Sequence, residues 1–133
     1  MKTIDRLEQV LTAEAELAEL MRDILKTKQE AIVKFDSAAL DSAIEREEEL
    51  ASSIEALERE RTSLTKSAVN ELEHRDEMVR IEDVRHRLRE AVHNVIVMNS
   101  ENDSLLKHSL RFVRENIRIL TENYSRQLVD QKV

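Results

Sequence analysis

EAELAELMRDILKTKQEAIVKFDSAALDSAIEREEELASSIEALERER, residues 14–61, decides the fold. On both sides of its centre, apolar residues recur at spacings of 3 and 4, the period of a helix that buries one stripe. Extended toward the start of the chain, the first stripe reads Ile4, Leu7, Leu11, Glu14, Ala18, Met21, Leu25, Lys28, Ile32 and Phe35. The second reads Leu40, Ala43, Glu47, Leu50, Ile54, Leu57, Arg61, Leu64 and Ala68. Between them stands Asp36-Ser37, two residues suited to turns and helix N-caps. The spacing predicts helices over about 4–35 and 38–72.

Two charges interrupt each stripe. Facing residues of an antiparallel hairpin have a constant sum of residue numbers. Glu14 with Arg61 and Lys28 with Glu47 both sum to 75. The same sum pairs Phe35 with Leu40, Leu25 with Leu50, Met21 with Ile54 and Leu11 with Leu64. Each interruption therefore meets a charge of opposite sign, and the apolar positions meet each other. Such pairs set register more than they add stability.

Residues 71–82 are charge-rich and less periodic, so the second connection is expected there, near His74-Arg75-Asp76. Asp76 would cap, with a short extra turn at Met78–Ile81. A third helix is expected over about 82–125, roughly 60 Å long. Its stripe is Leu88, Val92, Val95, Asn99, Asn102, Leu106, Val113 and Leu120. The two asparagines break an apolar seam, which costs stability and points to register, oligomer state or a partner.

Running antiparallel to the second helix, the third should leave the hairpin near residue 117. Ile119, Leu120, Tyr124, Leu128 and Val129 would then be uncovered, a candidate partner-binding end. The fold class is all-α: an antiparallel coiled-coil-like bundle of three long helices, the third overhanging the N-terminal hairpin. Residues 1–133 make one helical domain, of which 118–133 can form a mobile tail.

Composition agrees. The chain has no Gly, Pro, Cys or Trp, so it lacks the residues that make tight turns and stop helices cheaply. Its only aromatics are Phe35, Phe112 and Tyr124, which implies a thin Leu/Ile/Val/Ala seam and no substrate cavity. The net charge is −7. Residues 1–60 carry 16 Asp/Glu against 8 Lys/Arg, and residues 61–133 carry 12 against 13. Nothing there attracts a phosphate backbone, so no nucleic-acid partner is expected. No run of 18 apolar residues and no secretory hydrophobic region is present, so no membrane insertion is expected. Absent Cys suits a reducing compartment, and the cytoplasm is the expected location.

The enzyme-like pattern is Glu-x-x-His, at Glu71–His74 and Glu90–His93. Paired motifs of this kind build dinuclear metal sites inside helical bundles, but they must project inward. Glu90 and His93 fall on the polar face of the third helix with Arg89, Asn94, Glu101, Lys107 and Arg111. His86 and His93 share a face as solvated residues. The expectation is therefore no catalytic, cofactor or metal residues. Glu45-Arg46-Glu47-Glu48-Glu49 reads as a solvated acidic face. Lys107, Arg111, Arg114 and Arg118 form a basic strip, partly explained by the favourable placement of cations toward a helix C-terminus, with a place against the acidic second helix as the other reading.

With these residues laid out, the chain resembles the FlgN-type bacterial flagellar export chaperones. In the hairpin the resemblance rests on Glu14, Leu20, Leu25, Glu30-Ala31, Asp36, Leu40, Leu50, Leu57 and Glu60-Arg61. In the third helix it rests on Asn99-Ser-Glu-Asn102, Leu105-Leu106, Ser109-Leu110, Phe112 and Tyr124. It implies a binding protein and no enzyme. Such chaperones hold the hook-associated (hook–filament junction) subunits FlgK and FlgL. They deliver them to the flagellar type III export apparatus, its gate or ATPase complex. The resemblance makes Asn99 and Asn102 motif positions, and Leu106, Leu110, Val113, Ile117 and Leu120 subunit contacts. It associates Tyr124 with the export gate, although family members often carry Tyr-Gly where this chain has Tyr124-Ser125. The competing reading is a structural or adaptor coiled coil that self-associates, as a homodimer, with no export client.

Overall fold

The computed structural model describes residues 2–68 and 75–132, with side chains to residue 129. Three helices account for nearly all of them: α1 Thr3–Val33, α2 Ser37–Ala68 and α3 Arg75–Lys132.

The first connection is a tight turn made without glycine. The amide of Asp36 donates to the carbonyl of Ala31 (3.0 Å), and that of Phe35 to Ile32 (3.2 Å). These two bonds form a Schellman motif, whose penultimate position calls for a left-handed residue. Phe35 fills it at φ 54°, at a cost of about 1–2 kcal/mol for a residue bearing Cβ. The next residue caps α2: the Asp36 carboxylate accepts from the Ala39 amide at 3.1 Å.

The hairpin register is the one the charges predict. Lys28 Nζ lies 2.9 Å from Glu47, and Arg61 Nε lies 2.8 Å from Glu14. Met21, Ile24 and Leu25 of α1 pack with Leu50 and the half-buried Ile54 of α2. Nearer the chain start, Ile4, Leu7 and Leu11 pack with Ala68 and Leu64.

α3 packs on α1 and runs parallel to it. Asn102 meets Leu25 across a separation of 77 residues. The same offset pairs Ile81 with Ile4, Leu88 with Leu11, Met98 with Met21 and Phe112 with Phe35. α1 is thus the central helix. It touches both others, while α2 and α3 do not approach each other closely among the described residues.

The boundaries of α3 correct the sequence reading at both ends. The helix begins at Arg75, so Arg75–Glu82 is its first two turns and not a connection; His74 lies outside the described residues. Tertiary contacts override the weak periodicity. Ile81 is buried against Ile4, Leu7 and Leu11, and Glu77 lies 3.5 Å from Lys2. Asp76 and Glu77 in the first turn also suit the positive end of the helix dipole. At the other end α3 continues past 125 to Lys132, because no Gly or Pro stops it. α2 is described to Ala68; the rest of its expected span to 72 lies outside the described residues.

α3 leaves the hairpin at Phe112, whose ring meets Phe35 at the turn with centroids 6.1 Å apart, earlier than the expected residue 117. Residues 113–132 therefore extend past the turn by about 30 Å, and every side chain from Arg111 to Val129 is exposed.

Candidate partner-binding surface

α3 carries two apolar stripes side by side. The first is its seam with α1: Ile81, Val84, Leu88, Ala91, Val95, Met98, Asn102 and Leu105 are all buried or half-buried. From Ala91 onward the second lies one residue further on, about 100° around the helix, with the exposed Asp103 interrupting it after Asn102. It runs Val92, Ile96, Asn99, Leu106, Leu110, Val113, Ile117, Leu120 and Tyr124. Apart from the half-buried Leu106, all of these are exposed. Leu120 is 68 % exposed and Tyr124 63 %.

The structure thereby separates residues that the sequence reading had placed on one stripe. Leu88, Val95 and Asn102 face α1, whereas Val92, Asn99, Leu106, Val113 and Leu120 belong to the second stripe. Asn102 is 1 % exposed and donates from Nδ2 to the carbonyl oxygen of Leu25 at 2.9 Å. Its Oδ1 is buried with no hydrogen-bond partner among the described residues. Asn99, three residues away, is exposed. The two asparagines therefore do different work: Asn102 ties α3 to α1, and Asn99 sits within the open stripe, just before its apolar run from Leu106.

A sequence signal marks the split. Past Phe112 the seam positions become Asn116, Ile119 and Asn123, so the seam with α1 loses its apolar character where α1 ends. The open stripe continues without a break through Ile117, Leu120 and Tyr124. The apolar row thus outlasts its own seam, and its residues past Phe112 are exposed.

Toward the start of α3 the open stripe runs into a groove. Because α2 and α3 both lie on α1 without meeting, a furrow opens between them. Ala18 and Met21 floor it, Ala51, Ile54, Glu55 and Glu58 wall it on α2, and Leu88, Val92 and Val95 wall it on α3. It continues over Leu7, Leu11, Ala68 and Ile96. No sequence pattern announces this furrow, since it depends on how far apart the two outer helices stand.

The charges bordering the stripe are uneven. Arg118 is held within α3 by Glu122 (2.9 Å) and by Glu115. The Arg118 contact holds the Glu115 carboxyl below its usual range and raises the guanidinium. Lys107, Arg111 and Arg114 make no ion pair among the described residues. His86 and Glu90 form an exposed pair at 3.2 Å. Among the described residues no three His, Cys, Asp or Glu are grouped to hold a metal ion, and no helix is long and apolar enough to cross a membrane.

What this surface offers is shape and apolarity, which suit the apolar face of another helix. The sequence profile of the family described as FlgN protein matches residues 1–128, a span containing the hairpin, the seam and the whole open stripe. No curated protein and no solved structure matches the chain. The chain belongs to the FlgN family, a family of flagellar export chaperones.

Proposed function

We propose that the open stripe of α3 holds hook-associated subunits of the FlgK/FlgL type in the cytoplasm and that the chaperone passes them to the flagellar export gate or ATPase complex. One observation carries this reading. Leu106, Leu110, Val113, Ile117, Leu120 and Tyr124 form a continuous apolar row, exposed from Leu110 onward, that the protein's own fold leaves uncovered. Exposed contiguous apolar surface on a charged protein marks an interaction site. An exported subunit with helical ends has matching faces that stay uncovered until it assembles, and an amphipathic helix can cover them for the interval.

Asn99 contributes a polar contact just before the row begins. Asn102 acts from behind it, by setting where α3 lies on α1. Tyr124, near the far end of the row, is the candidate contact for the export gate.

The test is titration calorimetry of the full chain against the C-terminal segment of the cognate hook-associated protein, with light scattering on the same sample. Binding at one to one, lost in Leu120→Asp while the melting temperature stays unchanged, is the expected result. Leu120 is 68 % exposed on the part of α3 that extends past the end of α1, so the substitution is expected to act on binding and not on stability. A well-folded chain that binds no such segment and scatters as a stable dimer would instead make the stripe a self-association surface.

A further inference from the structure

The chemistry along the two borders of the open stripe says what kind of helix it receives. In coiled-coil terms Leu110, Ile117 and Tyr124 occupy the a positions, and Leu106, Val113 and Leu120 the d positions. The e border then carries Lys107 and Arg114, with Arg111 beside them. The g border carries Ser109, Asn116 and Asn123, none of them charged. Charges at e and g lie against the partner helix and determine which partner fits.

Along this border Lys107, Arg111 and Arg114 make no ion pair among the described residues, whereas Arg118 is paired twice within α3. Three unpaired cations beside an apolar row repel a basic neighbour and reward an acidic one.

A second copy of this chain does not supply that reward. A parallel second α3 would set Arg114 opposite the uncharged Ser109, and Lys107 level with the uncharged Asn102. An antiparallel one centred near Leu110 would set Lys107 opposite Arg114, cation against cation. The acidic helix α2 of a second copy shows no large hydrophobic residue among its exposed ones, so it has no apolar face to lay on the stripe.

We propose that the helix held by this stripe bears a row of Asp or Glu along one flank of its apolar face and an uncharged opposite flank. This rests on the reading of the stripe as the subunit-binding surface and specifies the chemistry of what binds there. The partner's acidic row lies at its g positions if it docks parallel to α3, and at its e positions if antiparallel.

The probe is a pair of synthetic amphipathic helices with one apolar face in common. One carries Glu at all e and g positions, the other Lys. Binding of each to the full chain is measured by calorimetry at low and physiological salt, in parallel with Leu120→Asp and the triple variant Lys107→Glu/Arg111→Glu/Arg114→Glu. All three substituted cations are exposed, so the triple variant should keep its fold, checked by its helical circular dichroism.

The acidic helix is expected to bind about 10-fold or more tightly than the basic one, with a preference that shrinks as salt rises. The triple variant is expected to reverse it, and Leu120→Asp to lose both. Equal affinity for the two helices overturns the charge selectivity while leaving the stripe a helix-docking surface. Binding of neither helix, together with a dimer by light scattering, overturns the docking reading and this inference with it.

Discussion

Replacing Asn102 by leucine should make this protein more stable. Asn102 is 1 % exposed, donates one hydrogen bond to the Leu25 carbonyl, and leaves Oδ1 buried without a partner among the described residues. A buried polar atom left unpaired costs about 1–3 kcal/mol, whereas an ordinary hydrogen bond contributes a net of about 0.5–1.5 kcal/mol. Leu25 lies in the interior of α1, so its carbonyl keeps a helical partner when Asn102 is removed. Leucine has the same branched outline as asparagine, and it adds apolar contact with the seam on either side. The balance favours Asn102→Leu by about 1–2 kcal/mol, or roughly 2–5 °C per kcal/mol in melting temperature for a chain of this size. Urea titration followed by circular dichroism is the direct assay: the midpoint should rise at unchanged slope. A midpoint that falls would refute the reasoning, because it would mean that Oδ1 is satisfied in the folded protein. Asparagine in such a seam is retained for register. The leucine variant should accordingly lose uniqueness, seen as additional oligomeric species by light scattering.

Two further predictions test the hairpin. Glu14 is 2 % exposed, and its burial holds the carboxyl above the usual glutamate range against the opposing pull of Arg61. A raised folded value means that the stability linked to this group is fully present below the unfolded value, near 4.5, and is lost as pH rises through the folded value. The melting temperature of the native chain relative to Glu14→Gln should therefore fall as pH is raised from about 4 to 7; a rising difference would contradict the burial argument. For Lys28 and Glu47, 14 % and 22 % exposed, Lys28→Glu alone should destabilise by about 1–2 kcal/mol by facing like charges across a half-buried seam. The exchange Lys28→Glu/Glu47→Lys should recover most of that loss, whereas simple additivity in the double-mutant cycle would show that the pair does not set register.

Much of the fold follows from local rules. The hairpin was legible because both of its partners are long, periodic and interrupted by charges. Glu14, Lys28, Glu47 and Arg61 admit one antiparallel alignment that pairs opposite signs, and that alignment is observed. Asp36 was legible as a cap because its side chain bonds within its own turn. The start of α3 was not. Arg75–Glu82 has little periodicity of its own, and its helix is held by Ile81 and Glu77 meeting α1. Nor was the left-handed Phe35, which takes the place of a glycine and lays its ring on Phe112.

From its residues alone this chain was bound to be three long helices with a hairpin in one register and an apolar third helix that outruns it. Helical period, capping and charge order are properties of neighbours in the chain. Only the tertiary structure decided which of two adjacent stripes on α3 is buried. Asn99 and Asn102 fit one broad apolar face equally well on paper, and the offset of α3 along α1 turns Asn102 inward onto Leu25 and leaves Asn99 in the open. A helix as apolar as α3 offers several faces for burial. The choice among them belongs to the helix it packs against, and the face that is refused becomes the surface left for a partner.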